Sequence, residues 1–179
     1  MTLTKNRIVS GLIAVEGDYW DDPTPNGGPT RYGITERTAR RHGYTGDMRR
    51  MPRSVAVRIY SSEYWDSVRA DGLLRVSPAL AAEVVDTCVN CGPGRASEFL
   101  QRQLNVLNRR ATLYPDLVVD RSIGPRTIAA VIAYAAVRDV SVLVRGLNCL
   151  QGAFYTELCE RREADENNYY GWLSHRVKL

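Results

Sequence analysis

Four carboxylic acids fall within seven residues near the start of the chain, in the segment V-E-G-D-Y-W-D-D. Glu16 is the first of them, and it ends an apolar pattern in which Val9, Leu12, Ile13 and Glu16 share one helix face. Three aspartates follow it closely, namely Asp18, Asp21 and Asp22. Acidic side chains are therefore concentrated where a predicted helix gives way to a turn.

The surroundings of Glu16 favour its protonated form near neutral pH. An apolar face disfavours the ionised carboxylate, the C-terminal end of a helix carries partial negative charge, and neighbouring aspartates would add like charge. One protonated carboxyl beside one ionised carboxylate is the working pair of glycosidic bond cleavage. In the alternative interpretation, Glu16 pairs with an arginine at the helix end while the aspartates solvate a turn. The spacing of the charges alone favours this alternative.

The elements that must position these acids are mostly helices. Apolar periodicity, Gly and Pro breaks and capping residues predict helices over residues 5–16, 35–42, 52–65, 78–90, 94–107, 123–137 and 140–164. Between the first two helices, T-R-Y-G-I-T reads as an extended strand or hairpin arm, and residues 108–122 read as a loop. We therefore expect a mainly α protein.

The chain is mildly basic, with a net charge of +4 carried almost entirely by arginine. Residues 31–60 contain eight arginines and only two acids, Glu36 and Asp47. Such a surface suits an anionic partner such as nucleic acid, a membrane or a cell wall. It is equally consistent with the arginine usage of the genome or with a plain solvated face.

The cysteine pattern does not indicate a metal site. Cys88 and Cys91 form one C-x-x-C pair, but Cys149 and Cys159 are ten residues apart, and the two histidines lack metal-ligand spacing. We therefore expect small buried thiols, with a disulfide formed outside the cytoplasm left open. No metal and no organic cofactor is predicted.

The first sixteen residues contain no uninterrupted apolar run long enough for a secretion signal or a membrane span. We expect synthesis in the cytoplasm, no stable membrane anchoring, and another route of export for any work outside the cell.

The long acidic motif resembles a known signature. Residues 15–35, V-E-G-D-Y-W-D-D-P-T-P-N-G-G-P-T-R-Y-G-I-T, are similar to the E-G-G-Y-x-N-D-P-x-D-x-G-G-x-T-x-x-G-I-T motif of the glycoside hydrolase family 108 muramidases, which include bacteriophage endolysins. V-V-D-T-C-V-N-C-G at 84–92 resembles a D-x-x-x-N-x-G segment in the middle of the sequences of that family. V-D-R-S-I-G-P-R-T at 119–127 is similar to an element of the associated peptidoglycan-binding region.

The resemblance implies a lysozyme-like helical domain with a short β-hairpin near residues 20–35. It further implies a muramidase part over residues 1–92 and a helical peptidoglycan-binding part over 93–179, packed as one compact unit. Glu16 matches the catalytic acid. Asp22, which precedes Pro23, is the expected partner carboxylate, and Thr30 the expected hydroxyl, with Asp18, Asp21 and Thr35 as alternatives for these roles.

Saccharide clefts place aromatic rings against sugars and amides against N-acetyl groups. The residues expected to bind substrate in this way are Tyr19, Tyr32, Tyr64, Trp65 and Asn90. Each aromatic is also a reasonable core or rim side chain, because large rings dominate packing. Trp172 is expected to anchor the C-terminal tail.

Three positions depart from the family pattern. Asp18 and Asp21 replace a glycine and an asparagine of the N-terminal motif and add negative charge beside Glu16. Arg121 replaces the glycine after Asp120, which puts the tight turn of that element in doubt.

The resemblance implies hydrolysis of the β-1,4 bond between N-acetylmuramic acid and N-acetylglucosamine by a monomeric endolysin. It would wait in the host cytoplasm until a holin or a similar pore releases it to the cell wall; a bacterial effector delivered by a secretion machine and a muramidase carried by a phage particle are the alternative origins. A lytic transglycosylase acting on the same bond and a non-catalytic wall-binding protein are the alternatives. A nucleic-acid binder ranks last because its usual motifs are missing.

Overall fold

The computed structural model describes residues 3–22 and 28–177 of the protein. Backbone contacts divide it into two compact units, Met1–Asp66 and Ser67–Leu179. Each unit has its own buried side chains and is treated separately below.

In its described residues, the first unit combines three α-helices with a small sheet. Its α-helices are α1 (Lys5–Val15), α2 (Glu36–Arg41) and α3 (Arg53–Tyr60), with a 3-10 turn at Met48–Arg50 and a π-helical turn at Ser61–Trp65. Its strands are β1 (Tyr19–Asp22), β2 (Gly28–Arg31) and β3 (Ile34–Thr35), which form an antiparallel sheet in the order β1-β2-β3. The hairpin expected near residues 20–35 is therefore present.

Local sequence explains the boundaries of these elements. The hydroxyl of Thr4 accepts from the Arg7 backbone N–H at the start of α1, and the hydroxyl of Thr35 accepts from the Thr38 N–H at the start of α2. Gly43 follows α2 with a positive φ of 78°, a backbone conformation that glycine adopts at little cost. The apolar face of α1, predicted from its periodicity, is buried.

The second unit is a bundle of six helices, counted over the residues that the structure describes. They are α4 (Ala70–Val76), α5 (Pro78–Cys91), α6 (Pro93–Val106), α7 (Pro125–Val137), α8 (Val140–Arg161) and α9 (Glu166–Arg176), with a 3-10 turn at Glu163–Asp165. Helix α5 is central, because it packs against α4, α6 and α8. Its buried side chains include Leu80, Val84 and Cys88.

The fold class is confirmed as mainly α and lysozyme-like, with a small antiparallel sheet. Two helices, α4 and α9, are not predicted by apolar periodicity. Trp172 on α9 stacks on Tyr155 of α8 with ring centroids 5.0 Å apart, which confirms its predicted anchoring role. Within the described ranges, no helix combines the length and the apolar character needed to cross a membrane.

Candidate active site

Helix α1 carries Glu16 at its C-terminal end. Glu16 keeps a right-handed helical backbone with φ −76°, and Gly17 then turns the chain with φ +81°. Since Leu12 and Ile13 lie four and three residues earlier and are buried, Glu16 extends the buried face of α1 at its last turn. The glutamate is half-buried. It is thus neither sealed in the core nor extended into solvent.

The turn between β2 and β3 packs directly against Glu16. A Cβ atom placed on Gly33 would lie 2.9 Å from both Cβ and Cγ of Glu16, and 2.7 Å from the hydroxyl oxygen of Tyr60. Gly33 also has a positive φ of 73°. Glycine is therefore required here both by the backbone conformation and by the closeness of the Glu16 side chain.

Tyr60 also contacts this turn and holds it in place. Its ring is 2% exposed, and its hydroxyl donates to the Tyr32 carbonyl oxygen at 3.1 Å. Tyr32 itself adopts a positive φ of 53°. Helix α3 therefore supports the Tyr32–Gly33 turn, and this turn contacts Glu16.

The strand register places Trp20 opposite Thr30, and Thr30 opposite Thr35. Paired residues share a sheet face, so these three side chains lie on one side of the hairpin. Thr30 is half-buried and its hydroxyl makes a long contact of 3.5 Å with the Gly28 carbonyl. The Thr35 hydroxyl caps α2, so Thr30 is the freer hydroxyl for a substrate or a water.

Asp22 ends β1, and its backbone is paired with Gly28. Its side chain lies outside the described residues, as does Pro23 of the expected D-P pair. The assignment of Asp22 as the partner carboxylate stays a prediction.

The remaining two aspartates of the motif have partners of their own. Asp18 accepts from the Arg31 Nε–H at 2.9 Å, and Asp21 accepts from the Tyr19 hydroxyl at 3.2 Å. The Arg31 guanidinium also donates to the Arg49 carbonyl. Asp18 therefore replaces the family glycine with an ion pair across the base of the hairpin.

The expected aromatic residues differ in how accessible they are. Tyr19 and Tyr32 are half-buried, with an arginine guanidinium 5.4 Å and 5.0 Å from the respective ring centroid. Tyr64 is half-buried beside Tyr60. Trp65 is 0% exposed, so its ring serves as core of the first unit and presents no face to a saccharide in this conformation.

Asn90 belongs to the second unit, on α5. Its side-chain amide donates to the Asp86 carbonyl at 2.8 Å and to the Asp86 carboxylate at 3.3 Å. Asp86 also accepts from Arg176 of α9 at 2.9 Å. The D-x-x-x-N segment therefore joins α5 to the C-terminal helix, and its expected role toward substrate stays a prediction.

Several of the eight arginines between residues 31 and 58, called the arginine patch below, bind other residues of the first unit. Arg40 pairs with Glu36, Arg41 pairs with Glu63 at 2.9 Å, and Arg53 donates to the Ser10 carbonyl at 3.3 Å. The patch is therefore partly a structural network, which leaves fewer arginines available for an anionic partner.

The cysteines are all free thiols, and the expectation that they are buried is confirmed for Cys88 but is wrong for Cys149, which is exposed. Burial raises the pKa of Cys91 to about 12, which keeps that thiol protonated and unreactive. Among the described residues, no group of three or more His, Cys, Asp or Glu side chains could hold a metal ion.

Sequence reasoning missed two residues of this site. Trp20 is 66% exposed on the same hairpin face as Thr30, which suits a ring that stacks on a sugar. Tyr60 holds the turn against Glu16. Trp20 lies inside the long acidic motif and could have been named from it, whereas the role of Tyr60 depends on tertiary packing.

Comparison with known proteins relates both parts of the sequence to described families. Residues 9–92 match the family model described as Glycosyl hydrolase 108, and residues 95–177 match the one described as Predicted Peptidoglycan domain. A solved structure titled "Structure of Brucella abortus SagA" is similar in fold, with a TM-score of 0.69 and 22% identity, over 95% of this protein and 87% of that one. No curated protein matches the sequence.

The two family matches adjoin and together support a glycoside hydrolase that acts on peptidoglycan, with the cell wall as its place of action. The N-terminal region of the protein, residues 9–92, is therefore similar to the glycosyl hydrolase 108 family, and the region that follows it, residues 95–177, is similar to a predicted peptidoglycan domain.

Proposed function

We propose that this protein is an N-acetylmuramidase that hydrolyses the β-1,4 bond between N-acetylmuramic acid and N-acetylglucosamine. The observation that carries the proposal is the position of Glu16, half-buried at the end of α1 and packed against the Tyr32–Gly33 turn. A carboxyl held in such a setting is fixed in place without being removed from solvent and substrate.

In the proposed reaction, the Glu16 carboxyl donates its proton to the bridging oxygen as the bond from the muramyl anomeric carbon to that oxygen breaks. N-acetylglucosamine leaves with a free 4-hydroxyl. Water supplies a hydroxyl to the anomeric carbon, and its remaining proton returns to the enzyme. Asp22 would stabilise the positive charge at the anomeric carbon or hold the water, and Thr30 would orient it.

Substrate binding is assigned to exposed or half-buried rings and amides. Trp20 is added to the expected set because its ring is exposed beside Thr30. Tyr19, Tyr32 and Tyr64 remain candidates at the rim, and Asn90 remains a candidate for N-acetyl recognition. We assign catalysis to residues 1–92 and wall binding to residues 93–179.

The proposal is tested by the Glu16→Gln variant on purified peptidoglycan. Because a general acid contributes roughly 10²–10⁴-fold to rate, release of soluble muropeptides should fall by about that factor. Glu157→Gln makes the same chemical change at an exposed glutamate paired with Arg161 on α8, and it should release muropeptides at the wild-type rate. Equal rates for wild type and Glu16→Gln would remove Glu16 from the mechanism.

We further propose that the protein is a monomeric phage endolysin, held in the host cytoplasm until a holin opens the inner membrane. The family resemblance supports this role.

A further inference from the structure

A groove of about 830 Å³ opens in the second unit between the loop that follows α6 and the first turns of α7. It is lined by Asp116, Val118 and Asp120 from the loop and by Arg126, Ala129 and Ala133 from the helix. Its volume lies within the roughly 300–1,000 Å³ that is usual for sites of small ligands. All of these residues belong to one compact unit.

A buried glutamine fixes the C-terminal end of the loop, next to α7. Gln101 is 1% exposed, and its amide nitrogen donates to the Asp120 carboxylate at 2.7 Å and to the Ser122 carbonyl at 2.9 Å. Its amide oxygen accepts from the Arg121 N–H at 3.1 Å. Arg121 holds the positive φ of 64° that the family glycine would adopt readily, so the turn is kept despite the substitution.

A buried asparagine fixes the earlier part of the loop, around residues 114–116, in the same way. Asn108 is 0% exposed and donates to the Tyr114 carbonyl at 2.6 Å and to the Asp116 carboxylate at 2.8 Å. Each groove carboxylate is therefore held by a fully buried amide. The loop between the end of α6 at Val106 and the start of α7 at Pro125 is long. Long loops without regular structure are uncommon in compact domains and are usually functional.

The groove carries charges of both signs. The hydrogen bonds that Asp120 accepts from Gln101 and from the Ser122 N–H both end on Oδ1, so neither of them uses Oδ2. The hydrogen bond from Gln101 lowers the pKa of Asp120, so this group is ionised at neutral pH. Arg126 lies in the first turn of α7, is exposed, and has no ion pair in the part of the protein that the structure describes.

Most of the rest of the lining is apolar, with Gln101, Ser122 and Thr127 as its uncharged polar side chains. Its aromatic residue, Tyr114, is 8% exposed and donates its hydroxyl to the Leu104 carbonyl at 2.7 Å. A groove without an exposed ring lacks the platform on which sugars stack. Small alanine methyl groups flanked by fixed charges fit a short peptide better than a glycan.

We propose that this groove binds the peptide stem of peptidoglycan. A free ammonium group of the stem pairs with Asp116 and Asp120, a stem carboxylate pairs with Arg126 at the start of α7, and alanine methyl groups of the stem lie along Ala129 and Ala133. This inference rests on the proposed function, because it names the part of the wall polymer that the second unit recognises.

The test is a calorimetric titration of the full-length protein with the free tetrapeptide L-Ala–γ-D-Glu–diaminopimelate–D-Ala. Wild type should bind it, and Arg126→Gln and Asp120→Asn should each bind about tenfold more weakly, the loss expected for one ion pair of about 1.4 kcal/mol. Asn at position 120 keeps an oxygen for the Gln101 amide, so the loop should stay folded. Arg75→Gln, at an exposed arginine of α4 outside the groove, is the matched control and should bind as wild type does.

Methyl NMR of alanine-labelled protein locates the ligand independently of the variants. The tetrapeptide should shift the methyl resonances of Ala129 and Ala133. Absence of binding at millimolar peptide, unchanged affinity in both groove variants, or unshifted alanine methyls would each overturn the proposal. Binding of a free peptide needs no bond cleavage. A negative binding result would therefore not affect the muramidase proposal, and a negative cleavage result would not affect the proposal that the groove binds peptide.

Discussion

Gly33 brings the hairpin close to the Glu16 side chain. An added Cβ would meet the Glu16 side chain and the Tyr60 hydroxyl at 2.9 Å and 2.7 Å and would also strain a positive φ. Gly33→Ala should therefore lower the free energy of unfolding by about 2–3 kcal/mol, through left-handed strain and overpacking together. It should also reduce muropeptide release, because Glu16 must move. Thermal or denaturant unfolding and the release assay measure the two effects.

Gly43 provides the matched control for this prediction. Its φ of 78° is similar, but a Cβ there would have nothing within 4 Å. Gly43→Ala should cost about 1 kcal/mol from strain alone and leave activity at the wild-type level. Equal losses in the two variants would show that the contact between Gly33 and Glu16 does not matter.

Sequence can identify Glu16 but not what supports it. The periodicity of α1 and the motif both single out this glutamate. For Tyr60 the sequence predicts only added aromatic surface, because nothing in the spacing of α3 shows that its hydroxyl reaches the Tyr32 carbonyl. Trp65 is expected at the substrate because it is aromatic, whereas packing places it in the core.

At the scale of elements, the end of α2 is tied to the π-helical turn by one carboxylate. Glu63 lies 2.6 Å from His42 Nε2 and 2.9 Å from the Arg41 guanidinium. The hydrogen bond with His42 lowers the pKa of Glu63 from its ordinary value of 4.5; partial burial opposes this and Arg41 adds to it. A carboxyl whose pKa is lowered by folding stabilises the fold above its unfolded pKa and loses that contribution as pH falls through the folded value.

Glu63→Gln should therefore lower the free energy of unfolding near neutral pH by about 1 kcal/mol or less, as for a partly exposed ion pair. The difference from wild type should shrink as pH falls below 4.5, where wild-type Glu63 gains its proton. Denaturant unfolding across this pH range measures it. Glu36→Gln breaks a pair within α2 alone, and a pH dependence of the same size there would argue against the link between elements.

The boundaries of most helices follow from caps and breakers. Pro78, Gly43 and Thr35 each stand where the sequence predicts that a helix begins or ends. The π-helical turn could not be foreseen, since it is a matter of backbone hydrogen bonding, as in the bond from the Asp66 N–H to the Ser61 carbonyl, and has no side-chain pattern of its own. Helix α4 has seven residues, which are too few for a periodic pattern.

At the scale of the whole molecule, the proposed endolysin role makes a prediction about release. Expression in bacterial cytoplasm alone should leave cells intact, because the substrate lies beyond the inner membrane. Co-expression with a pore-forming holin should cause rapid loss of turbidity. Co-expression of Glu16→Gln with the same holin separates lysis by the enzyme from damage by the pore. Prompt lysis without any pore would contradict the role and indicate another route of export.

Family and contact boundaries fall at different places in the sequence. The two family matches meet between residues 92 and 95, whereas backbone contacts separate the units after Asp66. Sequence motifs can locate the family boundary, because they mark related segments. The contact boundary depends on the packing of α4 and α5 with the C-terminal helices, and no local sequence pattern encodes that packing. The assignment of catalysis and binding to residues 1–92 and 93–179 stays a prediction.

The most direct test of the central claim is mass spectrometry of the sugar ends released from purified peptidoglycan by wild type and by Glu16→Gln. We expect wild type to produce reducing N-acetylmuramic acid ends, and the variant to produce almost none. Anhydro-muramyl ends from wild type would show a lytic transglycosylase instead, and undiminished reducing ends from Glu16→Gln would show that the proton comes from another residue.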